Sequence, residues 1–239
     1  PSAKILKNTI NVSAGKGGYG IYDSGMTSNV TIENNTIIVS GLISVSGISL
    51  GSKSSEYNIT GNIITIRGPY MGKGIWGSGF QNSNISNNWI QGEAKRSYGI
   101  YLEPWPPSLR AFIPSSNNSI IGNNISINYQ EGYGLFLKNA SYQYIFENNI
   151  TTNVTNFGYG ILMYHGSERN TIEKNNIRTN GTFSPGIYLY DASKNRILNN
   201  SIFTDSDSSH AINIVNNSDD NTISGNSVNR AGGNVFRLF

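Results

Sequence analysis

The side chains that could do acid–base chemistry recur at related positions of short hydrophobic segments, each of which follows a glycine. Aligned on that glycine, His165 and Asp191 occupy the same position in successive segments, and Tyr164 precedes His165. Lys138 is equivalent to Tyr164 one segment earlier, and Glu103 comes one segment before Lys138. Such groups on one surface could abstract a proton from a uronic acid, with His165 or Tyr164 as the base. The alternative is a solvated strand end, where polar residues gather without any catalytic role.

Aromatic side chains occupy two positions around the same glycine. One set follows the glycine by two residues, at Tyr22, Trp76, Tyr101, Phe136 and Tyr188, and the other directly precedes it, at Tyr19, Tyr98, Tyr133 and Tyr159. We expect both sets to face outward and to form a line of exposed rings. Such a line favours sugar stacking or a protein interface. Stabilisation of the sheet by cross-strand ring pairs is the equal alternative.

A proline-rich insertion at 103–117 carries Trp105 and Phe112. Proline cannot continue a sheet, so the segment is predicted to be a loop that leaves the main body. Loops with exposed aromatic residues are common binding elements. A loop folded back against the body is the competing interpretation.

These segments belong to a repeat that runs through the whole chain. The pattern Ile-x-x-Asn-x-Ile/Val occurs nine times, with its Asn at Asn8, Asn35, Asn62, Asn88, Asn123, Asn148, Asn175, Asn200 and Asn226. Successive Asn residues are 27, 27, 26, 35, 25, 27, 25 and 26 positions apart. A period near 26 with one insertion is typical of a solenoid.

The repeat predicts an all-β, single-stranded parallel β-helix of about nine coils. Each strand is too short to pair within its period, so it pairs with its copy one period away. The residue before the motif Asn is Asn or Gly in six copies, which indicates a tight left-handed corner. Ile side chains should then stack in columns, and the motif Asn side chains should form a ladder of amide hydrogen bonds. Nine coils would give a rod of roughly 43 Å.

Composition excludes several classes of protein. With 13% charged residues and 35 Asn in 239 residues, the chain cannot form coiled coils or helical bundles. The net charge of +3 is scattered along the chain, so nucleic acid is not an expected partner. No apolar stretch approaches the roughly 20 residues of a membrane span. The chain has no Cys and two His, and we expect no metal and no cofactor.

The form Asn-x-Ile-x-x-Asn-x-Ile, complete from Asn118, Asn170, Asn195 and Asn221, resembles the right-handed parallel β-helix repeat of the pectin-lyase-like superfamily. It is most similar to NosD-like or carbohydrate-binding-and-sugar-hydrolase repeats, and the resemblance covers essentially the whole chain. It implies one β-helix domain over 1–239. The superfamily includes polysaccharide lyases, hydrolases, epimerases, tailspikes, adhesins and archaeal surface-layer proteins. The NosD name implies copper handling, but two His, three Met and no Cys do not support copper here.

Two functions follow from these observations. The catalytic signatures of polygalacturonases, pectate lyases and alginate epimerases are missing, which favours a non-enzymatic structural or adhesive protein of a filament, sheath or surface layer. The resemblance extends to archaeal surface proteins of this kind. The alternative is a polysaccharide-binding protein, or a lyase or hydrolase, that uses the aromatic rings and the His165/Asp191 group. An enzyme requires a groove with converging charged groups, whereas a building block requires complementary ends.

The location is predicted from glycosylation sequons, which place the chain outside the cell or on its surface. The Asn-x-Ser/Thr triplets include those at Asn11, Asn29, Asn34, Asn58, Asn84, Asn117, Asn139, Asn153, Asn180 and Asn216. A chain so rich in Asn, Ser and Thr also produces such triplets by chance. The chain opens inside one coil at Ile5 and ends with the apolar residues Phe236, Leu238 and Phe239. We therefore expect either a segment of a longer solenoid or a subunit that stacks head to tail on its own copies.

Overall fold

A computed structural model describes residues 2–106, 113–206, 208–230 and 233–238 of this chain. Within these residues all regular elements are β-strands, which wind into nine coils along three parallel sheets. The predicted all-β parallel β-helix is confirmed. Each coil thus contributes a strand segment to each of the three sheets, and between the first and last coils each such strand bonds to the equivalent strands of the coils before and after it.

The three sheets run along the length of the rod. The first sheet contains Ala3–Leu6, Ser28–Glu33, Ser55–Thr60, Asn84–Ser86, Ser119–Ile121, Tyr144–Phe146, Thr171–Glu173, Arg196–Leu198 and Thr222–Ser224. The second contains Thr9–Ala14, Thr36–Gly41, Asn124–Tyr129, Asn149–Asn156, Asn176–Thr182, Ser201–Thr204 and Ser227–Arg230. The third contains Gly17–Gly25, Ser44–Ser52, Glu131–Lys138, Gly158–Tyr164, Ile187–Tyr190, Ile212–Val215 and Phe236–Leu238. Two long strands, Ile63–Ser78 and Trp89–Glu103, continue from the second sheet into the third, and Ser115–Ser116 pairs with Ala140–Ser141.

The register aligns identical side chains in columns through the core. Ile120 pairs in register with Ile85 on one side and Ile145 on the other. The second motif position behaves likewise, since Ile125 pairs with both Ile90 and Ile150. These six side chains are fully buried. Because each coil has the same shape, the same residue fills the same space in the next coil.

The motif Asn residues form the predicted ladder. Asn123 Nδ2 donates to Asn148 Oδ1 at 2.9 Å, and Asn148 Nδ2 donates to Asn175 Oδ1 at 2.9 Å. The same bond joins all nine motif residues in sequence from Asn8 to Asn226. Each Oδ1 also accepts the backbone N–H of the preceding motif Asn, as at 2.9 Å between Asn123 N and Asn148 Oδ1. The ladder therefore satisfies both side-chain and main-chain groups at the corner.

The corner lies at the residue before the motif Asn, as predicted, and it is left-handed in every copy. The φ angle is 65° at Gly61 and 56° at Asn34, residue types that tolerate this conformation. It is also positive at Lys7, Glu147 and Lys174, with values of 55°, 53° and 54°. The coil shape therefore imposes the conformation even where the residue type disfavours it.

A second ladder, which the sequence pattern did not reveal, lies at the other end of the first sheet. Asn118 Nδ2 donates to Gln143 Oε1 at 3.0 Å, and the Gln143 backbone N–H donates to Asn170 Oδ1 at 2.8 Å. Asn170 Nδ2 continues to Asn195 Oδ1 at 3.0 Å, and the Asn195 N–H donates to Asn221 Oδ1 at 2.8 Å. Both ends of the first sheet are thus held by amide side chains over these coils.

The glycine that precedes each short hydrophobic segment, such as Gly134, is required because the core leaves no room for a side chain there. A Cβ on Gly134 would lie 2.2 Å from Cγ2 of Ile150 and 2.6 Å from the carbonyl oxygen of Gly160, which no side chain can occupy. Ala211 replaces this glycine in the eighth coil, and the residue of the Ile150 column in the next coil is the smaller Val228. The residue at the glycine position is thus larger where the residue of the facing column is smaller.

The last coil leaves apolar side chains uncovered. Phe236 is 48% exposed and Leu238 is 68% exposed, while Phe239 lies outside the described residues. Head-to-tail contact between copies stays a prediction. No helix long and apolar enough to cross a membrane occurs in the described residues.

Replacing Asn175 with Leu should lower the free energy of unfolding by roughly 1–3 kcal/mol, because the amides of Asn148 and Asn200 lose their buried partner. Urea unfolding followed by circular dichroism measures the change. The matched control is Asn176→Leu, since the neighbouring Asn176 is exposed and makes one exposed amide bond to Asn149 at 3.0 Å. Equal stability of the two variants would contradict a stabilising ladder.

Candidate aromatic binding face

The outward face of the third sheet carries the aromatic residues that the sequence placed around the glycine. A Cβ on Gly99 would project into the core, and the next side chain, that of Ile100, is buried there. Two successive residues therefore face inward, and the alternation of inward and outward side chains along the strand shifts by one residue. Tyr98 and Tyr101, on either side of the pair, consequently project from the same face. The same arrangement in other coils gives what we call the aromatic stripe: Tyr19, Tyr22, Trp76, Tyr98, Tyr101, Tyr133, Phe136, Tyr159 and Tyr188.

Rings in the middle of the aromatic stripe stack on one another along the rod. Tyr133 lies between Tyr98, at 4.8 Å with planes 7° apart, and Tyr159, at 5.2 Å with planes 1° apart. Tyr101 and Phe136 stack beside them at 4.8 Å. Such offset stacking is the favoured geometry of aromatic pairs. The rings therefore face outward and also stabilise the sheet, because they stack on one another along the face from which they project.

Exposure differs along the aromatic stripe. Tyr98 is covered by its neighbours and only 7% exposed, whereas Tyr22 near one end is 61% exposed and contacts Tyr19 at 4.9 Å. Tyr19 is 46% exposed, and the remaining stripe residues are half-buried: Trp76, Tyr101, Tyr133, Phe136, Tyr159 and Tyr188. Ring faces available to a ligand are consequently concentrated toward the coils that hold Tyr22 and Trp76.

A buried carboxylate orients two of the rings. Glu103 is 7% exposed, and its Oε1 accepts a hydrogen bond from Trp76 Nε1 at 2.9 Å while its Oε2 accepts one from the Tyr101 hydroxyl at 2.7 Å. Lys73 Nζ lies 3.6 Å from the centroid of the Trp76 ring, a cation–π contact. Burial lowers the pKa of Lys73, and the charge of Glu103 partly offsets this effect. Glu103 thus positions stripe residues instead of standing free beside Lys138.

Three tyrosine hydroxyls of the aromatic stripe, those of Tyr98, Tyr101 and Tyr159, are held in their protonated form. Burial raises the pKa of Tyr101, and the adjacent Glu103 carboxylate raises it further. Burial also raises the pKa of Tyr98 and of Tyr159, with Tyr133 adding to the effect in both. These hydroxyls stay protonated near neutral pH, so they can donate hydrogen bonds to a ligand but cannot readily accept its proton.

The predicted acid–base group comes together at the end of the third sheet. His165 Nδ1 lies 3.2 Å from Asp191 Oδ2, and the Tyr164 ring lies 3.9 Å from the His165 ring. Lys138 pairs in register with Tyr164, as the alignment predicted. The His165 and Asp191 side chains are 44% and 46% exposed. Both residues have positive φ, at 42° and 52°, so the pair sits on an open corner. A catalytic role for it stays a prediction.

The two described ends of the insertion pair with each other. Trp105 pairs antiparallel with Ile113 through hydrogen bonds of 2.8 and 2.7 Å. The Trp105 side chain, 41% exposed, lines a cleft together with Tyr22 and Trp76. Phe112 lies outside the described residues.

Sequence reasoning missed Lys73 and Ser49, two residues of this face. Both occupy positions that hold an aromatic residue in other coils: Lys73 pairs in register with Tyr98, and Ser49 pairs with Tyr22. In the repeat alignment these two residues interrupt columns of aromatic residues, and that interruption is the signal that could have identified them.

Comparison with known proteins agrees with this architecture. Residues 110–228 match the family model described as the right handed beta helix region. Among solved structures, the chain is similar to the A-module of an Azotobacter vinelandii mannuronan C-5 epimerase, with a TM-score of 0.59 and 13% identity over 100% of this chain and 87% of that one. No curated protein matches the chain in sequence.

Two further solved structures resemble the chain. A double mutant of the periplasmic alginate epimerase AlgG has a TM-score of 0.56 and 13% identity, over 98% of this chain and 68% of that one. An alginate lyase from Paenibacillus sp. str. FPU-7 has a TM-score of 0.52 and 14% identity, over 96% of this chain and 98% of that one. At such identities the likeness establishes the fold.

Replacing Glu103 with Ala should lower the free energy of unfolding by roughly 1–3 kcal/mol, because the half-buried Trp76 and Tyr101 donors lose their buried acceptor. Glu103→Gln keeps one oxygen for Trp76, and its amide can donate to a rotated Tyr101 hydroxyl, so it should cost less. Urea unfolding at neutral pH compares the two. Equal losses in both variants would show that the charge of Glu103, and not its hydrogen bonds, holds the rings.

Proposed function

This chain is a right-handed parallel β-helix, and from that premise we propose that it is a carbohydrate-binding protein located outside the cytoplasm, whose binding surface is the aromatic stripe. The observation that carries the proposal is the line of rings on one outward face. A pyranose ring has apolar C–H faces that pack on aromatic rings and hydroxyls that bond to polar groups beside them. Binding sites for such ligands combine aromatic walls with a few placed polar groups.

The shape of the rod supports a polymer as the ligand. The aromatic stripe runs along the rod axis, with stacked rings at the coil spacing, as between Tyr98 and Tyr133 at 4.8 Å. A linear polysaccharide laid along this face would meet a new coil at every strand spacing. The solved structures of similar fold include enzymes named for alginate and mannuronan, which supports a carbohydrate ligand, and one named as periplasmic, which supports a location outside the cytoplasm.

Binding without cleavage, as in an adhesive or surface-structural protein, is the role that the chemistry of the aromatic stripe favours. The pKa values of the Tyr98 and Tyr101 hydroxyls are raised, and both oxygens of Glu103 accept hydrogen bonds from Trp76 and Tyr101. None of these three groups is therefore poised as a general base at neutral pH.

A second candidate function, cleavage of a polysaccharide, is supported by one observation. Asp191 can fix the orientation of the His165 ring through Nδ1, which leaves Nε2 free to act as a base. This function predicts that the protein releases unsaturated or reducing ends from a polysaccharide and that His165→Ala abolishes the release. The binding function predicts no such release.

Glycosylation and self-assembly complete the proposal of a surface protein. The sequon residues are all exposed or half-buried: Asn11, Asn29, Asn34, Asn58, Asn84, Asn117, Asn139, Asn153, Asn180 and Asn216. Each is accessible to a glycan-transferring enzyme. Mass spectrometry of the protein from its native source would reveal which of them carry sugar, and its sedimentation would reveal head-to-tail assembly.

Replacing Trp105 with Ala should weaken retention of the protein in native gels that contain a polysaccharide by about 3- to 10-fold, the loss expected from removal of one stacked ring. The matched control is Trp89→Ala, since Trp89 is 55% exposed but pairs in register with residues of the second sheet, away from the aromatic stripe. A panel of neutral and acidic polysaccharides is tested. Unretarded migration of the unmodified protein in every gel, or equal losses in both variants, would contradict the proposed function.

A further inference from the structure

The aromatic stripe has one coil without rings. Ser49 pairs in register with Tyr22 on one side and with Trp76 on the other, so it occupies the position of a ring. In the adjacent column, Ser46 pairs with Tyr19 and with Lys73. Both serines are buried at the base of the face. The strand Ser44–Ser52 therefore leaves a slot between aromatic walls two coils apart.

The slot is a cavity of about 170 Å³. It is lined by the rings of Tyr19, Tyr22, Trp76 and Trp105, by the buried residues Ser49, Leu50 and Ser78, by Gly51, and by the more exposed hydroxyls of Ser24 and Ser52. All of these residues are described, and none of them is charged at neutral pH.

The dimensions suit one ring. Rings of neighbouring coils stack 4.8 Å apart elsewhere in the aromatic stripe, as between Tyr101 and Phe136. Tyr22 and Trp76 are separated by two strand spacings, or about 9.6 Å, so one further ring fits between them. The cavity is also smaller than the roughly 300–1,000 Å³ of pockets that hold drug-sized ligands. It therefore accommodates a single unit of a ligand, not a longer segment.

The charged groups nearest the slot are already engaged. Asp23 accepts hydrogen bonds from the Gly25 N–H at 2.9 Å, from the Thr27 hydroxyl at 2.8 Å and from the hydroxyls of Ser54 and Tyr57. Lys73 Nζ rests on the ring of Trp76. The slot thus offers ring faces and hydroxyls but no unpaired charge for a carboxylated ligand.

We propose that the slot between Tyr22 and Trp76 is a subsite for one neutral pyranose ring of a polysaccharide, which takes the place of the missing ring in the aromatic stripe. This inference rests on the proposed function and names its ligand class. The aromatic walls cover the two C–H faces of the sugar, and the serine hydroxyls that line the slot bond its hydroxyl groups. A free aromatic ring would use the walls but leave these hydroxyls unused.

The test fills the slot with a side chain. Ser49→Tyr supplies the missing ring, so it should abolish binding of a neutral oligosaccharide while the β-sheet circular dichroism spectrum is kept. Tyr22→Ala removes one wall without adding bulk, and it should weaken binding at least 10-fold even if Ser49→Tyr fails to fold. The control is Ser126→Tyr, which adds a ring to the second sheet at a half-buried serine.

Binding is measured by isothermal titration calorimetry with hexasaccharides of glucose, mannose and xylose, with hexamers of guluronate and galacturonate, and with indole. The proposal expects a neutral hexasaccharide to bind the unmodified protein and the control, and not Ser49→Tyr. It is overturned if only the acidic hexamers or indole bind, or if Ser49→Tyr binds as tightly as the unmodified protein. If Trp105→Ala weakens retention in the gels and Ser49→Tyr does not, the proposed subsite is refuted while the proposed function stands. If the unmodified protein neither binds in calorimetry nor is retained in the gels, the proposed subsite and the proposed function are both refuted.

Discussion

The hydrogen bond on which the rest of this structure depends is the one between the carboxamides of motif Asn residues in successive coils. At the corner after the first sheet the chain turns through a left-handed residue, and the next backbone N–H has no partner in a regular strand. The Oδ1 of the following coil accepts that N–H, as Asn148 Oδ1 does for Asn123. The Nδ2 in turn binds the carbonyl oxygen of a buried Ile one coil back, as Asn123 does with Ile85 at 2.9 Å. Each coil therefore satisfies the buried polar groups of its neighbour, which an unpaired coil cannot do.

This coupling determines the register, and the register determines the outer face. Since equivalent residues lie in line, a glycine in one coil meets the Ile of the facing wall, and an aromatic residue meets another ring at the strand spacing. Tyr98, Tyr133 and Tyr159 stack because their coils cannot slide past one another. A single change of residue type within a column then changes the surface locally, which is how Ser49 produces a slot between two rings. Binding specificity on such a rod can vary coil by coil while the core stays constant.

Much of this could be predicted from the sequence, because the repeat imposes the same environment nine times. The Ile columns, the glycine position, the first ladder and the outward aromatic columns follow from spacing alone. The partners of Glu103 did not, because its contact with Trp76 depends on side-chain directions across two coils, whereas the alignment placed Lys138 beside it. The left-handed corners at Lys7, Glu147 and Lys174 were also not evident, since those residue types do not favour that conformation. The ladder through Gln143 was hidden because a Gln stands among the Asn residues.

The central claim is that a side-chain Oδ1 of the next coil, and not a backbone carbonyl oxygen, accepts the backbone N–H of the motif Asn at the corners. Native-state hydrogen exchange of the backbone amides of Asn62, Asn123 and Asn175, measured by NMR, tests it most directly, because each donates to a buried Oδ1 of the next coil. The account predicts that these amides exchange as slowly as those of the core Ile residues in the same coils, within about tenfold, because both open only with the cooperative unit. Exchange at the rate of exposed turn amides would contradict it.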